Sequence, residues 1–182
     1  YNDYLVKWIN ETLWLKNKSY TLGNLKLIFG DWNEPDQILN SINFCPIKTI
    51  ISVHSLCTQK SFKESAKALS NLNPQYIAFN SLFYDGPLDI LIHIRDHTTG
   101  IKDDDPDSDF NIHSIPYAEK AMRGFGYKLL ARKEFNIQTN LAKPANGARG
   151  TYTINSEISP YMQFSGPVYL PWNFVLFERE KT

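Results

Sequence analysis

Residues 48–53, "KTIISV", and residues 76–82, "YIAFNSL", decide how this chain is read. Each is a short apolar run rich in β-branched or aromatic side chains, as strands require. Lys48–Val53 is apolar at nearly every position. A strand apolar on both faces is expected at the centre of a sheet, beside parallel neighbours. Between the two runs lie Phe62, Ala66 and Leu69, spaced for one helical face, with Thr58 or Ser61 as start signal and Asn73-Pro74 as stop.

Upstream, Leu25–Phe29 is a further short strand, and "FGDWNEP" (29–35) follows it. Asn33 and Pro35 there mark the start of a short helix. Residues 25–82 therefore read strand, helix, strand, helix, strand, the alternation of an α/β sheet. Residues 3–17 carry Tyr4, Leu5, Trp8, Ile9 and Leu13 on one helical face.

The pattern loosens after residue 82. Leu88–Arg95 reads as an extended segment, and the acidic stretch 96–110 as an exposed loop. Ser114 caps a helix with Pro116 in its first turn, which Gly126 ends. Tyr127–Ile137, Thr151–Ile154, Met162–Ser165 and Trp172–Glu178 read as strands, so the last third is richer in hairpins.

The 182 residues suffice for one domain with a real core. Lys+Arg and Asp+Glu are both 19, a balance that disfavours nucleic-acid or anionic-membrane binding driven by bulk charge. No run of 18 apolar residues is present, so no membrane association is expected. Cys45 and Cys57 form no metal motif, and a reduced, cytoplasmic protein is expected. The chain opens on Tyr1 rather than Met, so its first residue is not expected to be the natural start.

In open α/β sheets ligands sit beyond the carboxyl ends of the strands. Three such ends are visible: Gly30, Asp31 and Trp32; Val53, His54 and Ser55; and Ser81, Leu82, Phe83 and Tyr84. If the strands are neighbours, a carboxylate, an imidazole and aromatic faces share one pocket. An Asp accepts hydrogen bonds from an exocyclic amine, and a Trp packs on a flat ring. His93, His97 and His113 stand near the acidic loop without a known ligand spacing, and a solvated loop is expected there.

The succession "NLKLIFGDW", "TIISVHSLC" and "FKESAKALSNLNPQYIAFNSLF" resembles the second half of a class I S-adenosylmethionine-dependent methyltransferase, over roughly residues 20–137. "QFSGPVYLPWNFVLFE" is similar to the C-terminal hairpin of some members. The resemblance implies an α/β, Rossmann-like methyltransferase sheet, N-terminally incomplete, with an added β-rich C-terminal part. It implies a single domain: residues 1–87 and 111–137 as the core, and 88–110 and 138–172 as acceptor-side insertions. It implies S-adenosylmethionine bound by Asp31, Trp32, Val53 and Ser55, His54 at the methyl-transfer site, and a small-molecule acceptor against Phe83 and Tyr84. A homodimer is kept open as the assembly.

The family's glycine-rich loop after a first strand, and its second strand ending in an acid, have no counterpart here. The cofactor is therefore expected to need residues upstream of Tyr1. A non-catalytic binding module is the alternative. A different α/β enzyme, such as a hydrolase in which Asp31 and His54 pair with an unidentified nucleophile, is a more distant one; a hydrogen bond from Ser55 or Ser81 to His54 would favour it and a Ser out of reach would sink it.

Overall fold

The computed structural model describes residues 35–41, 46–95, 108–135, 138–145, 150–157 and 159–180. The chain divides into two compact units, Tyr1–Pro46 and Ile47–Thr182. In the first, the described part is helix α1, Pro35–Ser41. Pro35 opens it and Asp36 stands in its first turn, where a carboxylate favours the helix N-terminus. The expected helix over 3–17, the strand over 25–29, Asp31 and Trp32 lie outside the described residues.

The second unit begins with strand β1, Thr49–Val53, and a single 3₁₀ turn, Leu56–Thr58. Helix α2, Phe62–Asn71, follows. The Ser61 side chain accepts from the Glu64 amide at 3.3 Å, and Phe62, Ser65, Ala66 and Leu69 turn one face inward. Strand β2 is Tyr76–Tyr84, β3 is Ile90–Ile94 and β4 is Ser108–Ser114. Helix α3, Ile115–Gly124, starts where the Ser114 hydroxyl accepts from the Tyr117 amide at 3.2 Å. It ends before Gly126, whose φ of 81° is left-handed. Gly124-Phe125-Gly126 thus has the G-x-G spacing but closes a helix instead of opening one. Strands β5 (Tyr127–Glu134), β6 (Thr151–Ile154), β7 (Met162–Ser165), β8 (Val168–Tyr169) and β9 (Trp172–Arg179) complete the described elements.

Strand β2 organises the main, six-stranded sheet. One of its edges pairs with β1 in parallel over Tyr76–Asn80, then with β4 in parallel at Phe83 and Tyr84. The other edge takes β9 antiparallel, and β5 pairs antiparallel with β9. Strands β1, β2 and β5 consequently run in one direction with β9 reversed between β2 and β5. Strand β3 extends the sheet beyond β4 as an antiparallel partner, and β6, β7 and β8 form a separate antiparallel sheet.

This corrects the expectation of an α/β, Rossmann-like sheet. Among the described residues of this unit nine strands accompany two α-helices, and the main sheet is mixed. Strand–helix–strand alternation occurs twice among the described residues with both strands running the same way, as β1–α2–β2 and β4–α3–β5, and only the first joins directly paired strands. The remaining pairings, apart from the short β2–β4 contact, are antiparallel. The reading of β1 as a strand buried on both faces is corrected with it. Ile51 is 71% and Val53 57% exposed, and among the described residues β1 pairs only with β2.

The core lies on the helix side. Phe62 meets Phe79 and His113 at 5.7 Å and Phe83 at 6.2 Å between ring centres, all edge-on. The Tyr127 hydroxyl donates to the Pro74 carbonyl at 2.7 Å, tying β5 to the turn after α2. On the opposite side Cys57, Leu82, Ile112 and Leu170 form a second cluster, packed by Ile92, Phe110, Val168 and Trp172.

Candidate functional site

The carboxyl ends of β1, β2 and β5 open on the same side of the sheet. A cavity of about 200 Å³ lies there, open to solvent, between the end of β2 (Phe83, Tyr84, Asp85) and the end of β5 (Arg132, Glu134). The stretch Tyr169–Asn173 forms its third wall.

Register explains which side chains reach it. In β9, Asn173, Val175 and Phe177 face the helices and stand opposite Ser81, Phe79 and Ile77 of β2. A β-bulge at Leu130 interrupts the β5–β9 ladder: Leu129 opposes Phe177, then Ala131 opposes Leu176. Because side chains alternate, one extra residue reverses every later position. Arg132 and Glu134 therefore join the Asn173 face, opposite Val175 and Asn173, instead of Ala131 and Lys133.

A polar network then holds the pocket wall. Arg132 places Nη1 2.9 Å from an Asp85 carboxylate oxygen and donates from Nε to Asn173 Oδ1 at 3.2 Å. Asn173, 3% exposed, donates from Nδ2 to the carbonyls of Phe83 (3.3 Å) and Pro171 (3.2 Å). The rim is set by Ser114, whose hydroxyl donates to the Gly86 carbonyl while its amide donates to Asp89, both at 2.6 Å. A side chain at Gly86 would collide with the Tyr84 ring, so glycine permits that ring its position.

His54 follows β1 with a φ of 59°, an uncommon backbone state for a non-glycine residue, and its amide donates to the Asn80 carbonyl at 2.9 Å. Its ring stacks on Trp172 with centres 4.2 Å apart and planes at 22°. The imidazole thus backs the indole that lines the cavity. Val53 and Ser55 are exposed beside it, and Ser55 Oγ donates to the Val53 carbonyl at 3.3 Å. Neither Ser55 nor the fully buried Ser81 bonds to His54, so the hydrolase pairing has no geometry to support it.

Phe83 and Tyr84 do line the cavity, as the positions of the strand ends suggested. Sequence reasoning missed Arg132, Glu134, Trp172 and Asn173. The signal available was "PWNF" at the start of a strand, a polar residue between large apolar ones.

Tyr169 titrates above its ordinary value, first through burial and then through the Glu134 carboxylate. The three histidines considered with the acidic loop do not converge. His93 pairs with Asp109 at 2.5 Å, His113 is buried against the Leu56 carbonyl, and His97 lies outside the described residues. Among the described residues no group of three or more His, Cys, Asp or Glu side chains is placed to hold a metal ion. Nor, among them, is any helix long and apolar enough to cross a membrane.

No protein-family model matches the chain, and no curated protein matches it.

Proposed function

We propose that the protein takes part in methyl transfer from S-adenosylmethionine to a small molecule held in the cavity between β2, β5 and β9. The observation that carries this reading is the position of the cavity. It lies at the carboxyl ends of β2 and β5, which run in one direction, with the His54–Trp172 stack against it. The resemblance over residues 20–137 supports the choice of reaction. The cytoplasmic location belongs to the same reading.

When bound, the cofactor supplies an electrophilic sulfonium methyl group. Of the residues assigned to it, Val53 and Ser55 are exposed at the end of β1 and leave room for a large group to approach. The chain's own part is alignment. Trp172 and Tyr84 offer flat apolar surface to an acceptor, Phe83 anchors the end of β2 in the core, the Arg132–Asn173 network fixes the wall behind it, and His54 restrains the Trp172 ring. Holding two reactants in register supplies much of what a simple displacement needs.

The test is calorimetric titration of the protein carrying its natural N-terminus, as isolated from its source, with S-adenosylhomocysteine. Saturable binding with a micromolar Kd is expected. Absence of heat and of any resonance shift at Val53, His54 and Ser55 would reject methyl transfer. The cavity would then be read as that of a non-catalytic binding module.

A further inference from the structure

We propose that the cavity selects a cationic ligand: a small molecule joining a protonated or quaternary amine to an aromatic or apolar body. The inference rests on the reading of this cavity as a small-molecule site and names the chemistry of its occupant.

Three ionisable groups with formal charge line the cavity: Asp85, Arg132 and Glu134. Arg132 is already engaged. Its Nη1 pairs with Asp85 at 2.9 Å and its Nε donates to Asn173, so the guanidinium is turned toward the wall. Asp85 offsets its charge. Glu134 is then left with its carboxylate on the cavity surface and no ion pair or hydrogen bond of its own among the described residues. Glu134 shares the cavity lining with Tyr169. The cavity therefore carries one uncompensated negative charge.

The remaining surface is aromatic. Tyr84, Tyr169 and Trp172 line it from three separate segments, while Phe83, 1% exposed, turns its ring into the core. Ring faces are electron-rich and attract cations within about 6 Å. An ammonium meets both the Glu134 carboxylate and ring faces, whereas a carboxylate meets Glu134 as a like charge. An anion could gain only by displacing Asp85 from Arg132. A cavity of about 200 Å³ matches a single-ring compound with a short side chain.

The experiment is an amide-resonance titration of the full chain with three probes of one shape: 2-phenylethylamine, 3-phenylpropionate and 2-phenylethanol. No S-adenosylmethionine is present, so a failure of cofactor binding leaves this outcome untouched. Loss of amine preference, in turn, would leave methyl transfer standing with a different acceptor. The amine is expected to shift Tyr84, Asp85, Tyr169 and Asn173 and to bind at least tenfold more tightly than the carboxylate. Glu134→Gln is expected to weaken the amine at least fivefold. Asp85→Asn, which frees Arg132, is expected to improve the carboxylate. The proposal is overturned if the carboxylate binds as well as the amine or if Glu134→Gln leaves amine affinity unchanged. It is equally overturned if none of the three probes moves those resonances.

Discussion

Replacing Asn173 with Ala tests whether the polar network holds the pocket wall. The side chain is nearly fully buried and makes three hydrogen bonds, two to backbone carbonyls at 3.3 and 3.2 Å and one from the Arg132 guanidinium at 3.2 Å. The two carbonyl contacts are long and neutral, so each is placed near the lower end of the usual range, about 0.5 kcal/mol. The third involves a charged donor and is given about 1.5 kcal/mol. Together the loss is about 2.5 kcal/mol. For a protein of this size that lowers the thermal midpoint by roughly 5–10 °C. With a urea slope of about 2 kcal/mol/M, the urea midpoint falls by about 1 M. Circular dichroism during urea unfolding reads the change, provided the transition is two-state. A loss under about 0.5 kcal/mol would refute the assignment, because three buried bonds cannot then be contributing.

Two further outcomes follow from burial and register. The His113 imidazole is 2% exposed, and burial holds its pKa below the ordinary value despite the Leu56 carbonyl and Asp89, which raise it. Above about pH 6.5 the ring is neutral folded and unfolded, and full stability is present. As pH falls below that value the unfolded chain takes up the proton first, so stability drops toward the lowered folded pKa, by at most about 1.4 kcal/mol per pH unit. Urea midpoints at pH 7.5, 6.5 and 5.5 should show this decline, reduced in His113→Gln; an identical decline in the variant would remove His113 as its source. Deleting Leu130 takes out the bulge residue alone and leaves Arg132 opposite Val175 and Glu134 opposite Asn173. The deletion variant should fold and keep its response to 2-phenylethylamine, and loss of that response in a folded variant would contradict the role given to the bulge.

Local chemistry was legible in the residues themselves. Ser61 and Ser114 cap helices because a hydroxyl one position before the first turn meets an otherwise unpaired amide. Pro116 and Gly126 mark the start and stop of α3 because each fits one backbone geometry better than other residues do. "TYTI" and "MQFS" are strands where their β-branched and aromatic content placed them. Phe83 and Tyr84 fall at a strand end and hence at the cavity, since the end of a strand is a one-dimensional property.

Strand order and register are not such properties. Nothing within "WNFVLFER" states that it inserts antiparallel between β2 and β5; that depends on which edges remain free once β1 and β4 have taken the other side of β2. The apolar run "TIISV" looks central because its hydrophobicity is local, but its exposure is set by what covers it. The bulge at Leu130 shows the limit most sharply. One unpaired residue, invisible in composition or periodicity, decides that Arg132 and Glu134 rather than Lys133 face Asn173. The sequence by itself therefore determined the helix caps and most of the elements, through bonds between near neighbours in the chain, but not β4, whose first residues it read as part of an exposed loop, nor β8. Only the tertiary structure decided the mixed sheet and the charge of the cavity, because both arise from pairing between segments that are not neighbours in the chain, such as β2 with β9 and Arg132 with Asn173.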